Sequence, residues 1–335
     1  MRKRILLAAI AAIMGTAVAV AQQIAVVSES GSTDVYQTLQ EAIEGASDGS
    51  VVYLPGGGFQ IHDSVKITKR LSIIGIGHKV KNENVDGNTT ISGNLFFNGG
   101  ASNSSVIGCY ISGNVNIGEN EAVNNVTVKL CNLNAVNVKN INCTGTLINN
   151  CYIRGYPCNF SNAAVTVKNN IMQGIRSMTG GIVKNNILTA GGYISYGSVV
   201  GSITFDDVHD TTICNNIILT TGHIEPNDNA NGHRKNSGLV VYENMHRGAW
   251  GEDAVDISAE WSEVFTKYNN GAITPASEFK FTEDYLQYSD CGIYGGDSFS
   301  DGALPPVPFI VSKSIPEQTD ASGKLNIKIR VKAGE

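Results

Sequence analysis

Between residues 101 and 200 the apolar positions come in short alternating runs, "VTVKL", "VNVKNI", "TLINN" and "VTVKNNI". Alternation with a period of two marks half-buried strands, because successive side chains of a strand point to opposite faces. The polar positions of this stretch hold 19 Asn but only eight charged residues. Such a composition can signal disorder, yet the recurring Val and Ile supply apolar surface to bury, and strands are predicted instead.

The runs align on the residue that precedes the closing pair. The series is "GCYI" at Cys109, "LCNL" at Cys131, "NCYI" at Cys151, "NNIM" at Asn170, "NNIL" at Asn186, "NNII" at Asn216 and "ENMH" at Asn244. The steps between markers are 22, 20, 19, 16, 30 and 28 residues. A step near 20 built from short strands predicts a β-solenoid whose coils stack on one another. The 30-residue step leaves room for a coil without the marker inside "GGYISYGSVVGSITF". A leucine-rich repeat is disfavoured, since the step is irregular and its Leu framework is missing.

Asn suits the corners of such coils because it tolerates φ > 0 better than any residue except Gly. Coils about 4.8 Å apart would let Asn amides at equivalent corners hydrogen-bond in a ladder. Cys109, Cys131 and Cys151 share one slot and are expected to stack as free thiols, because a disulfide between adjacent strands would be strained. The seven Cys form no CxxC motif, and they are expected to be buried as small apolar groups.

Upstream, "TDVYQTLQEAIEGASDGSVVYLPGG" places Leu39, Ala42, Ile43 and Ala46 on one helical face, with Asp34 as the expected N-cap. This helix would cover the open end of the first coil, and strands are expected at "SVVYL", "SVKIT" and "LSIIGIG". The sequence "TLQEAIEGASDGSVVYLPGGGF…VKITKRLSIIGIG", with the Asn-marked coils after it, resembles secreted bacterial proteins of the pectin-lyase-like superfamily. The resemblance covers roughly residues 33–250. It implies an all-β fold, a right-handed parallel β-helix with an N-terminal capping helix and an irregular C-terminal cap, and it reports turns and stacking rather than activity. The expected division is a signal peptide over 1–21, the β-helix with its N-terminal cap over 22–250, and the C-terminal cap over 251–335. In the last part, Trp261, Val264, Phe265 and Tyr268 have helical spacing with Ser258 as a cap. "GKLNIKIRVKA" alternates Leu325, Ile327, Ile329 and Val331 inward as a terminal strand.

Arg2, Lys3 and Arg4 precede the apolar run "ILLAAIAAIMGTAVAVA", which ends in a small-residue site at Ala21. This reads as a secretory signal peptide cleaved near Ala21, so the chain is expected to be secreted, periplasmic or at the cell surface. No other run is apolar enough to span a bilayer. The whole chain carries 24 basic and 30 acidic residues; without the three basic residues of the leader the balance is 21 − 30, or −9. That acidity argues against nucleic-acid binding, which needs a basic footprint.

Charged and His residues cluster only over 206–247, around the polar excursion "TTGHIEPNDNANGHRKNSG". The resemblance implies two chemistries to weigh there. Polygalacturonase-like hydrolases place carboxylates about the glycosidic bond. The pair Asp206-Asp207 and the "GH" at His223 match in kind and order, while the Asn-Thr-Asp and Arg-Ile-Lys elements are missing. Pectate-lyase-like enzymes use Arg or Lys as base, a role open to Arg234 or Lys235, often with Ca²⁺, for which Asp206 and Asp210 are candidate ligands. Adjacent Asp residues of a regular strand point to opposite faces, so the pair needs a bend to act together. Tyr193, Tyr196, Tyr242 and Trp250 are candidate aromatics for stacking on sugar rings. The reading adopted is non-catalytic recognition of glycans, such as a polysaccharide or cell-surface glycan, or of other extracellular polymers. Its rivals are a polysaccharide lyase or glycoside hydrolase acting on an acidic polysaccharide, and a structural or adhesive surface protein.

Overall fold

The computed structural model describes residues 23–63, 65–78, 88–155, 157–189, 193–195, 198–200, 205–219, 237, 239–246, 255–268, 279–296, 299, 308–314, 322–324 and 328–333. The expected signal peptide lies outside the described residues.

The chain is mostly β, with few helices and long parallel sheets, an arrangement compatible with a β-helix. A repeating unit supplies one strand to each of three sides. One such unit runs Thr127–Lys129, Asn132–Leu133 and Val136–Val138. Its first strand pairs in parallel with Ser105–Ile107 of the unit before and Thr146–Asn149 of the unit after. The same rule builds the 10-stranded second sheet and all of the 11-stranded first sheet except its edge strands Ile24–Val27 and Thr33–Tyr36, which pair antiparallel. The third side comprises two three-stranded sheets, one of Leu95–Phe97, Val115–Ile117 and Val136–Val138, the other of Cys158–Ala163, Ile175–Thr179 and Phe205–His209.

Register places like on like. In the first sheet Val52, Ile73, Val106, Val128, Ile148, Val167, Val183 and Ile213 align across successive strands. All eight are fully buried. Each such side chain contributes roughly 1.5–3 kcal/mol on burial, and β-branched residues suit the pleated surface.

The two Asn of the "NN" corners do different jobs. The first takes the left-handed conformation: Asn169, Asn185 and Asn215 have φ of 53°, 56° and 53°. Gly108, Leu130, Asn150 and Glu243 take it before the markers Cys109, Cys131, Cys151 and Asn244, with φ of 68°, 55°, 55° and 52°. The second residue turns inward and is buried. Asn186 accepts from Asn170 N and Nδ2 at 2.9 and 3.0 Å, and its own Nδ2 donates to Val167 O, Lys184 O and Asn216 Oδ1 at 3.0, 3.0 and 2.9 Å. Asn216 repeats this set toward Val183 O, Cys214 O and Asn244. The expected ladder therefore exists, and it satisfies polar groups that would be costly to bury unpaired.

The three upstream thiols occupy the same slot and face equivalent carbonyls. Cys131 Sγ donates to Val106 O at 3.6 Å and Lys129 O at 3.2 Å, and Cys151 Sγ to Val128 O and Asn149 O at 3.5 and 3.3 Å. These cysteines are weak donors at a site that wants a donor, which corrects their reading as simply small apolar groups. All seven cysteines are free and buried. Burial pushes the thiols of Cys109 and Cys151 well up, and those of Cys158 and Cys291 to about 12.

Three expectations need correction. The 30-residue step hides no extra coil, because Ile182–Lys184 pairs directly with Thr212–Cys214. The additional residues include an antiparallel hairpin of Tyr193–Ser195 and Ser198–Val200, inserted between the second and third sides. "SVKIT" forms no full strand; Ile67 makes a single bridge to Phe97. The first helix, Leu39–Gly45, is capped by Thr38 rather than Asp34. Thr38 and Glu41 form a reciprocal capping box, while Asp34 lies in the strand Thr33–Tyr36, which is antiparallel to Ile24–Val27. Leu39, Ala42 and Ile43 of the helix are buried, as their spacing predicts.

The C-terminal part also differs. Its helix is one turn, Trp261–Val264, with Glu260 rather than Ser258 before it, no side-chain cap bond, and Tyr268 beyond its end. The helix ends there, and Phe265 instead forms an antiparallel bridge to Phe281. Trp261, Val264, Phe265, Phe279, Cys291 and Ile293 form a second apolar cluster with Ile171, Ile187, Ile217 and Met245. Those four align as one outward column of the second sheet. The segment therefore packs along a flank of the coils. Asn169 Nδ2 donates to Ile293 O and Gly295 O at 3.1 and 2.9 Å, tying it to a corner. The last strand, Lys328–Ala333, pairs antiparallel with Pro308–Ser314; Leu325 and Ile327 lie outside the described residues.

Asn186→Ala is expected to lower unfolding free energy by about 3 kcal/mol or more in denaturant titration, since it strands several buried partners. Asn186→Cys should cost clearly less, because a thiol serves the same carbonyls upstream. None of the seven thiols should react with a thiol reagent at pH 8 until the protein is unfolded, when all should. Because folding raises the thiols of Cys158 and Cys291, their contribution to stability is complete below the ordinary value of 9.0 and is lost as pH rises toward about 12. Thermal melts between pH 8 and 11 would show the decline.

Candidate functional site

The third side carries the main concentration of charged and His groups among the sequence candidates that the structure describes. Its strands Ile175–Thr179 and Phe205–His209 pair in parallel, Arg176 opposite Asp206 and Thr179 opposite His209. Ile175, Met178, Phe205 and Val208 face the core, each at most 1% exposed. Two residues, rather than one, separate each inward pair. The extra residue is absorbed by a left-handed turn in mid-strand, at Ser177 with φ 50° and Asp207 with φ 60°. Such a bulge swings both intervening side chains away from the core. The bend that an Asp206-Asp207 pair needs is present.

Both carboxylates are held. Arg176 Nε lies 2.8 Å from Asp206 Oδ2. Ser177 Oγ donates to Asp207 Oδ2 at 3.0 Å, and His209 Nε2 lies 3.2 Å from Asp207 Oδ1. His209 Nδ1 is 2.7 Å from Ser237 Oγ on the following coil, where His209 and Ser237 form a parallel bridge. Asp206 and Asp207 are set back, 6% and 8% exposed, whereas Ser237 is exposed.

Two polar rows result. Asn159, Arg176 and Asp206 align across three strands, and Thr179, His209 and Ser237 align three residues further along. The arrangement offers charge-assisted and neutral hydrogen-bonding groups at the coil spacing on a rigid support.

Of the sequence candidates, Asp206 and Asp207 are brought together here. Asp210 follows at an exposed corner with φ 47°, its N–H bonded to Ser237 O at 3.0 Å. Among the described residues no group of three His, Cys, Asp or Glu is placed to hold a metal ion. Tyr193 lies in the inserted hairpin and Tyr242 in the first sheet, opposite Cys214, so Tyr242 is on a different side from the cluster. His223, Arg234, Lys235, Tyr196 and Trp250 lie outside the described residues. Glu243 has a corner role: it accepts from Asn215 Nδ2 at 3.1 Å.

Arg176, Ser177, His209 and Ser237 complete the cluster; His209 and Ser237 fall within the charged stretch 206–247, but none of the four is singled out by the sequence. The available signal was the broken alternation of "IRSM" and "FDDV", where two polar residues separate apolar ones in a strand.

No family model matches the chain, no curated protein matches it, and no solved structure matches it. Among the described residues no helix is long and apolar enough to cross a membrane.

Arg176→Met should destabilise the protein by about 1–2 kcal/mol, discounted for the exposure of the guanidinium, because it leaves the Asp206 carboxylate without its cation. Adding Asp206→Asn should recover part of that loss. A double-mutant cycle in urea reads the coupling.

Proposed function

We propose that this chain is an exported right-handed parallel β-helix of the pectin-lyase-like kind that recognises a glycan on the outward surface of its third side. The observation that carries the reading is the pair of in-register polar rows, Asn159–Arg176–Asp206 and Thr179–His209–Ser237. Hydroxyl-rich polymers are bound by hydrogen-bonding groups held in place beforehand, so little entropy is lost when ligand binds. Export rests on the basic start, apolar run and Ala21 site of the N-terminus.

A second reading, cleavage of an acidic polysaccharide, draws on the bulge that turns Asp206 and Asp207 to the same side. Against it stands the engagement of both carboxylates by Arg176, Ser177 and His209, which leaves neither poised over an empty space.

The test is a panel of neutral and acidic polysaccharides, with and without Ca²⁺, measured for binding and for new reducing or unsaturated ends. Binding without new ends, weakened at least tenfold (about 1.4 kcal/mol) by Arg176→Ala, is expected. New ends lost on Asp206→Ala would replace recognition with catalysis. No binding to any member would remove both.

A further inference from the structure

We propose that Ser237, His209 and Asp207 form a nucleophilic relay and that the chain removes acyl groups from esters. Taking those esters to be O-acylated sugars rests on the glycan reading above; the relay itself does not.

The geometry is specific. One imidazole joins a hydroxyl and a carboxylate through its two ring nitrogens, Nδ1 to Ser237 Oγ at 2.7 Å and Nε2 to Asp207 Oδ1 at 3.2 Å. A carboxylate at Nε2 fixes the proton on that nitrogen, so the lone pair of Nδ1 faces the hydroxyl and accepts its hydrogen bond. The roles required are a hydroxyl, a base in contact with it, and an acid that orients the base. Asp207 is well placed to orient, being 8% exposed and anchored at its other oxygen by Ser177 Oγ at 3.0 Å. Ser237 is exposed, so the nucleophile stands on the side from which a polymer would approach.

A structural role explains the contacts less fully. Backbone bonds already join these coils, since Ser237 N donates to Val208 O at 3.1 Å and Asp210 N to Ser237 O at 3.0 Å. A His spanning the two coils adds little to that stitching. The left-handed φ of 60° at Asp207 is an unfavourable conformation whose effect is to turn its carboxylate to the His209 side of the strand.

The reaction balances with water as co-reactant. Ser237 Oγ attacks the ester carbonyl carbon as its proton passes to His209 Nδ1. The tetrahedral adduct collapses, the C–O bond to the sugar breaks, and the leaving alkoxide takes the proton from Nδ1. Water, deprotonated by the same nitrogen, then attacks the acyl-enzyme, releasing the carboxylic acid and restoring the Ser237 hydroxyl.

The test begins on the unmodified chain, so no variant has to fold for it to be decisive. The purified protein is treated with a fluorophosphonate, and the adduct is located by peptide mass spectrometry; hydrolysis of 4-methylumbelliferyl acetate is followed in parallel. A single adduct on Ser237, with turnover of the acetate, is expected. His209→Gln should slow both by at least 100-fold, the range of a lost general base. Asp207→Asn, which acts through His209, should lower kcat and shift the pH–rate profile while the circular dichroism melt stays close to the parent. Glu119→Gln, remote from the cluster, should change neither rate. Absence of an adduct on Ser237, or labelling that proceeds at the same rate in folded His209→Gln, overturns the relay. Ester turnover without polysaccharide binding would overturn only the glycan reading, and binding without turnover or adduct only the relay.

Discussion

The fold depends on one small requirement at the corner between the first and second sides. From Gly108 to Glu243 the units turn there through a left-handed residue, and the turn leaves main-chain carbonyls of a unit and of the unit before it to be satisfied in the core. A carbonyl buried without a donor is expensive. The next side chain has to carry a donor, be small and face inward. Asn186 and Asn216 meet the requirement fully, and their amide oxygens also accept the N–H of the preceding unit's slot residue. Cys131 and Cys151 meet it weakly. The change from thiol to amide falls between Cys151 and Asn170, where Asn170 Oδ1 takes the Cys151 N–H at 2.8 Å.

The same backbone conformation serves a second purpose on the third side. At the corners, φ > 0 changes the direction of the chain. In mid-strand, at Ser177 and Asp207, it leaves the direction of the chain intact and changes what the strand displays. A regular strand can show only alternate residues; a bulged one shows two neighbours together. Stacking two bulged strands in register then brings Arg176, Ser177, Asp206 and Asp207 into one patch. The core below is undisturbed, with Met178 and Val208 still fully buried.

Much of this was legible in the sequence because it depends on local chemistry. The marker residues fell at equivalent positions in the units, and the helical face of Leu39, Ala42 and Ile43 was buried as its spacing required. The helix cap was misplaced because Asp34, a good capping residue by type, sits in a strand, whereas Thr38 and Glu41 have the reciprocal spacing. The 30-residue step read as a possible hidden coil because length alone does not separate an inserted hairpin from another turn of the stack. The site was half legible. Asp206 and Asp207 stood out as a pair, but Arg176 and Ser237 are 30 or more residues away and meet them only through stacking. Only the broken alternation of "IRSM" marks Arg176 locally, and nothing local singles out Ser237.

The outward column of the second sheet was also written in the markers. It reads Tyr110, Asn132, Tyr152, then Ile171, Ile187, Ile217 and Met245. The change from polar or amphipathic to aliphatic coincides with the flank that the C-terminal segment covers. That flank behaves as a ruler. Its partner segment is tied at Asn169, Asn185 and Asn215, so adding a coil within this stretch would slide every later contact by about 4.8 Å. A coil added before Tyr152 would move nothing on the flank. The C-terminal segment therefore fixes the number of coils along the stretch it covers, while leaving the count before Tyr152 unconstrained by this flank.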